Sequence, residues 1–420
     1  MMINRKVFRL LVAAALCVVT LGAWSADKDP IRIAFLDPLS GAMSVTGYNA
    51  LYQFEYAVDE LVNKKGGLLG GRKMEVVPFD NQASPKETQI QLKRIIGEDI
   101  QFVFQGNSSA VANALTEAID KHNRRNPDQR LLFLNYSAVD PVLTNEKCNF
   151  WHFRFDAHAE IKMNALTDLI AERKDIKKIY IIGQDYSFGK AVADAAVKYL
   201  TQKRPDIEIV GNELHPMEKV KDFTPYVTKI KSSGADAIIT GNWGADMLGL
   251  AKAITDAGIE APVYTYYGAY DGTSKALGES GVGRIRLIHV GHDNPANTEE
   301  FAEYRRGFKA KYPDHDLSNQ RVHNSIFMLA KAIEQAGTTD PVKVAYALEG
   351  MRATSISGDA LYMRESDHQL FQPLQISVHT NKGIEFDADN SGYGMLTEKS
   401  IPLENTITET TCEMKRPKDS

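Results

Sequence analysis

Asn107-Ser108-Ser109 stands between an apolar run at residues 102–105 and a helical pattern at residues 110–122. Serine hydroxyls at such a junction can donate hydrogen bonds, and the first turn of a helix leaves backbone N–H groups without partners. Together they form an anion site suited to a carboxylate, with no arginine required. The same triplet also suits a plain helix N-cap, and the two roles are compatible. Tyr136-Ser137-Ala138-Val139 follows the next apolar run in the same way, which sets it beside the first loop; the alternative is a simple turn before Pro141. Trp243 lies on a further loop between Asn242 and Gly244, a setting unlike ordinary core. Tyr264, Tyr266, Tyr267 and Tyr270 add to this aromatic concentration and hint at an aromatic ligand, although some must alternate into a sheet. Asp271 comes next. Burying an unpaired carboxylate is very costly, so Asp271 is expected to meet a ligand amine or to face solvent.

The elements that must hold these loops are legible as a repeat of strand and helix. Short apolar runs occur at residues 31–36, 74–79, 102–105, 131–135, 179–182, 207–214, 237–240, 262–267 and 287–291. Helical patterns fall between them, at residues 85–96, 110–122, 157–172, 189–201, 223–232 and 245–257. In the first unit, Leu51, Phe54, Val58 and Leu61 recur every three or four residues, and Gly66-Gly67 then supplies a helix stop. Such alternation predicts an α/β fold with parallel sheets covered on both faces. The loops at the C-terminal ends of the strands are where open parallel sheets bind ligands.

Four strands precede Cys148, after which residues 150–156 (FWHFRFD) break the rhythm. Four more follow, and three helical patterns at residues 298–312, 319–336 and 342–351 come after residue 287. The layout predicts two similar doubly wound lobes joined by three crossovers. Lobe 1 takes residues 30–151 plus 288–363, lobe 2 takes residues 152–287 plus 364–400, and a tail covers residues 401–420. Several short crossings between rigid lobes make a hinge and a cleft.

The first residues read as an export signal. Arg5, Lys6 and Arg9 precede an apolar run, and Ala23-Trp24-Ser25 places small residues around a cleavage point after Ser25. The apolar run is shorter than the roughly 20 residues of a spanning helix. Leu16 before Cys17 does not fit a lipid-anchor signal. The formal net charge is −5 and grows more negative without the basic leader, so no general attraction for nucleic acid or anionic membrane is expected. Cys148 and Cys412 remain after export, and an even pair there is expected to form a disulfide, with two free thiols as the alternative. Zinc-protease, phosphate-loop, nucleophile-elbow and dinucleotide-binding motifs are all missing from the sequence, which leaves no positive ground for an enzyme.

Several strings in this order, DPLSG, GGLLGG, GNSSAVANAL, NYSAVDPVLT, IIGQDYSFGK, DFTPYVTKIKSSGADAIITGNWG and MRESDHQLFQPL, resemble the type I periplasmic solute-binding proteins of ABC importers. The resemblance is to the branched-chain amino acid (leucine/isoleucine/valine) binding branch and covers residues 31–395. It implies a small-molecule carboxylate ligand, an inner-membrane ABC permease as partner, a periplasmic location, a monomer, no metal and no cofactor. The segment holding Asn107, Ser108 and Ser109 would take the α-carboxylate. Ser137, Ala138 and the backbone of Val139 match contact positions, but the family often has threonine where this chain has Val139. The missing hydroxyl weakens the case for an ordinary aliphatic amino acid. Tyr186 would lay its ring over the ligand, with Phe188 as the alternative, and Trp243 matches an aromatic position lining the cleft. Tyr270 aligns with the acid that holds an ammonium group, with Asp271 beside it and Asp246 nearby. His368 falls in a string beside the third crossing and is expected to be a hinge contact. Two other readings share these lobes: a ligand sensor docking a signalling partner, and an exported enzyme.

Overall fold

In a computed structural model of the chain, residues 29–417 are described. The expected signal segment, residues 1–25, lies outside them. The first sheet contains β1 (Ile31–Asp37), β2 (Met74–Asp80), β3 (Phe102–Gln105), β4 (Leu132–Asn135) and β5 (His152–Arg154). Its order is β2-β1-β3-β4-β5 and every pairing is parallel. Every residue of β3 and β4 is buried, because helices cover both faces. Those helices include α1 (Ser44–Val58), α2 (Pro85–Gly97) and α3 (Ser109–Arg125). The chain runs on from α1 through a π-helical turn and stops at Gly66-Gly67, both at positive φ. A side chain on Gly67 would meet the Arg72 carbonyl oxygen at 2.5 Å.

The second sheet is fed by α4 (Ala159–Glu172), α5 (Ser187–Lys203), α6 (Thr224–Ser233), α7 (Gly244–Asp256) and α8 (Thr273–Leu277). Its parallel part is β6 (Lys178–Gln184), β7 (Glu208–His215), β8 (Ala237–Thr240), β9 (Val263–Thr265) and β10 (Ile285–His289). Helices α9 (Glu299–Lys311), α10 (Gln320–Ala336) and α11 (Pro341–Leu348) then follow. Val322, Ile326, Leu329, Val344 and Leu348 from α10 and α11 share one core with β1, β3 and β4. A small antiparallel sheet of β11 (Arg352–Thr354), β12 (Ala360–Met363) and β13 (Leu370–Phe371) leads back. The chain ends in β14 (Leu374–Thr380) and β15 (Gly394–Ile401), giving the order β15-β14-β10-β9-β8-β6-β7.

Two features differ from the sequence expectation. The extended segment 150–156 supplies β5, which pairs with β4, so the chain leaves the first sheet after Arg154 rather than after residue 151. The second sheet is mixed, since β14 and β15 are antiparallel to their neighbours. An antiparallel pair needs only a turn and no crossover helix, so the strand–helix rhythm gave no sign of it.

At the crossings, the Arg154 amide donates to the His368 carbonyl at 2.9 Å. The His368 ring stacks on Phe153 at 3.8 Å, and its Nε2 lies 2.7 Å from Glu349. His368 is thus packed into the crossing itself. Cys148 and Cys412 are joined in a disulfide, with Cα atoms 5.7 Å apart. Beside it, the Thr410 hydroxyl donates to the Thr144 carbonyl at 2.8 Å, so the tail is pinned to the loop after β4.

Candidate functional site

The first-lobe wall is built by two turns at the ends of β3 and β4. Asp37, the fully buried last residue of β1, accepts hydrogen bonds from the Asn107 amide at 2.9 Å and the Gly106 amide at 3.3 Å. The Tyr136 hydroxyl donates to its other oxygen at 2.5 Å. Burial pushes the Asp37 carboxyl up to about 7, against the pull of these donors. Gly106 has no room for a side chain, since a Cβ would lie 2.6 Å from the Tyr136 ring and 2.7 Å from Ser137 Cβ. This anchoring holds Ser108 at φ +79°, a strained value for a residue with a side chain. Ser108 precedes α3 without capping it through its side chain, so its hydroxyl is not spent on the helix. The Ser109 hydroxyl accepts from the Asp140 amide at 3.2 Å and can still donate.

The second turn is fixed by Asn135. Its side-chain oxygen accepts from the Ser137 amide at 3.2 Å and the Ala138 amide at 2.7 Å, and its Nδ2 donates to the Ala138 carbonyl at 2.9 Å. A turn stabilised by an asparagine side chain is therefore present, as the simpler expectation had it. Val139 packs with the second lobe's core, and its carbonyl accepts from the Ala159 amide at 2.9 Å.

The second lobe faces these turns with aromatic side chains. Tyr186 and Trp243 each precede a helix, α5 and α7, in extended conformation. Trp243 Nε1 donates to the Tyr186 hydroxyl at 2.7 Å, which locks the two rings together. Phe188 meets Tyr266 edge-on at 5.7 Å. Tyr267 donates to the Ser137 carbonyl at 3.4 Å, and the Thr46 hydroxyl donates to Asp271 at 2.6 Å. Both bonds bridge the lobes. Tyr270 donates to Asp293, which in turn pairs with Arg305 at 2.9 Å. Burial pushes the half-buried Asp271 carboxyl up to about 6, with the Thr46 bond opposing. Asp246 is occupied by the Gln184 side chain at 2.8 Å and the Glu218 amide at 2.9 Å. Tyr264 packs inside the second core, away from the cleft.

Between the walls lies a cavity of about 720 Å³, its open mouth included. Asn107, Ser108, Ser109, Ser137, Ala138, Val139, Tyr186, Trp243, Tyr270 and Asp271 all line it, as does Phe188. Lining residues that escaped the sequence reading include Thr46, Asn49, His289, Ser318, Asn319 and Arg321. His289 ends β10, so the strand-end rule could have found it. Burial pushes its imidazole down to about 4. Arg321 is a lining cation that the sequence reading did not include. It is the second residue of α10, 184 positions from Ser137, and its Nη2 donates to the Ser137 hydroxyl at 3.0 Å. No group of three or more metal-ligating side chains occurs among the described residues, and none of their helices is long and apolar enough to cross a membrane.

Two α/β lobes with strand-end loops converging on a cavity between them define a two-lobed binding protein. The chain belongs to the periplasmic binding protein family, whose sequence pattern matches residues 30–383, and within it to the leucine/isoleucine/valine-binding branch. A Brucella melitensis relative, "Leu/Ile/Val-binding protein homolog 4", is 31% identical over 424 residues, covering 98% of this chain and 99% of its own. The crystal structure of a leucine-, isoleucine-, valine-, threonine- and alanine-binding protein from Brucella ovis, in closed conformation, matches with a TM-score of 0.80 at 29% identity. It covers 93% of this chain and 100% of that one. A solute-binding protein of an ABC transporter from R. palustris, in complex with benzoate, has the same fold, with a TM-score of 0.76 at 18% identity. That match covers 91% of this chain and 99% of the other. These are solute-binding proteins, not enzymes.

Proposed function

We propose that this chain is the extracytoplasmic solute-binding component of an ABC importer, acting in the periplasm as a monomer. It takes a small carboxylate solute into the interlobe cavity, closes by hinge motion and presents the closed form to an inner-membrane permease. The supporting observation is the meeting of two unlike walls: serine-bearing turns and the α3 N-terminus on one side, Tyr186 and Trp243 on the other. The first would hold the carboxylate through Ser108, Ser109 and Ser137, and the second would cover the rest of the ligand. The lobes would move as the first sheet with α1–α3 and α9–α11 against the second sheet with its helices. Amino acids named for the Brucella relatives and benzoate in the R. palustris protein share a carboxylate, which fits this wall.

Charge-assisted hydrogen bonds are worth roughly 1.5–3 kcal/mol each. Three or four of them with aromatic burial reach the roughly 8 kcal/mol of micromolar binding after closure costs. A thermal-shift screen of small carboxylates, with and without an amino group, tests the function. Stabilisation by carboxylates and not by their amides is the expected result. A flat response to every carboxylate would refute it.

A further inference from the structure

Arg321 is only 5% exposed, yet it lines the cavity. A guanidinium carries five N–H donors. Nη2 donates to Ser137, while the buried Nε has no hydrogen-bond partner. Asp156 is the nearby acid, but Nε approaches its Oδ2 only to 3.5 Å. Lys162 already holds that oxygen at 2.8 Å, with both side chains fully buried. Asp156 Oδ1 is itself without a partner, so the guanidinium leans toward Ser137 although a free carboxylate oxygen is within the cluster. Asp156, Lys162 and Arg321 therefore set two cations against one anion. The face of Tyr267 lies 5.9 Å from the guanidinium carbon and 5.2 Å from Lys162 Nζ, which softens the excess without neutralising it. His289, on the same cavity, is held neutral by burial and adds no further positive charge.

A buried cation lacking its full set of acceptors is costly, and a ligand anion would satisfy it. The Ser108–Ser109 turn with the α3 amides already provides for one carboxylate. We propose that Arg321 holds a second carboxylate, apart from the one at Ser108 and Ser109, so that the preferred solute is a small dicarboxylic acid. The planar fork of arginine suits this role because it can grip a carboxylate through two parallel bonds. This inference rests on the carboxylate-binding function above and narrows it.

The test is calorimetry on the mature protein with matched pairs: terephthalate against benzoate, and glutarate against butyrate. The dicarboxylate of at least one pair binds roughly tenfold tighter or better. Arg321→Met removes that preference, lowering dicarboxylate affinity by roughly tenfold or more and leaving monocarboxylates within about threefold. Arg321→Lys restores part of it. Arg321→Met also melts no lower than wild type, since it leaves Asp156 and Lys162 as a balanced pair. Tight monocarboxylate binding without dicarboxylate preference overturns this inference and leaves the importer function standing. Equal losses for both series place Arg321 at a single carboxylate site and overturn it too. A clear fall in melting temperature makes Arg321 a structural partner of Asp156, with the same consequence. Absence of binding by either series refutes both the inference and the function it rests on.

Discussion

The two walls of the cavity are made of different material. The first-lobe wall is backbone and short hydroxyls, held by buried side chains behind it: Asp37 ties the 106–108 turn, and Asn135 ties the 137–138 turn. The second-lobe wall is large rings tied mainly to each other, as in the Trp243–Tyr186 bond. Fixed amides and hydroxyls recognise one charged group in one place. Aromatic faces cover whatever is attached to it and tolerate variation in shape. On the proposed function, the first wall would hold the charged group of the ligand and the second would cover the part attached to it.

The sharpest way to break that contrast is Asp37→Ala. It leaves two amides and the Tyr136 hydroxyl without their acceptor, and each such buried group costs about 1–3 kcal/mol. Loss of all carboxylate affinity together with a lower melting temperature is expected; unchanged calorimetric affinity would separate the Asp37 anchor from the site. Ser109→Ala should cost about 1.5–3 kcal/mol of binding, alike for aromatic and aliphatic acids. A loss confined to one ligand class would assign the serine to specificity instead. Trp243→Ala should cost aromatic acids about 0.5–1.5 kcal/mol more than aliphatic ones, measured by competition. Equal losses would show that the rings serve only to close the cleft.

The smallest effect is on pH dependence. The carboxyls of Asp37 and Asp271 are raised from 3.8 to about 7 and about 6 in the folded protein. Their protonated forms favour folding, so this contribution is complete below pH 3.8 and is lost as pH rises through 6 and 7. Asp271→Asn should flatten the part of the urea-stability profile between about pH 4 and pH 6 without touching the part near pH 7. An unaltered profile would mean that Asp271 titrates normally.

The strand-end turns were legible because each is local. Residues 107–109 and 137–139 directly follow short apolar runs and precede helical or turn signals, and in a parallel sheet that order alone puts them on one edge. The rest of the cavity was not legible. Arg321 reaches Ser137 across 184 positions, and Thr46 reaches Asp271 across 225. The pairing of β5 with β4, and of β14 and β15 at the edge of the second sheet, was hidden for a similar reason. These strands break the strand–helix alternation that revealed the others.

Patterning along the chain thus determined two α/β lobes and the turns at their strand ends, because each follows from neighbours in sequence, while the number of cysteines made the Cys148–Cys412 pairing the expected one and the structure supplied it. Only the tertiary structure decided how charge is arranged around the cavity. Asp156, Lys162 and Arg321 come from a crossing segment, a second-lobe helix and a first-lobe helix. Ion pairing depends on distance in space and burial, and neither is carried by spacing along the chain.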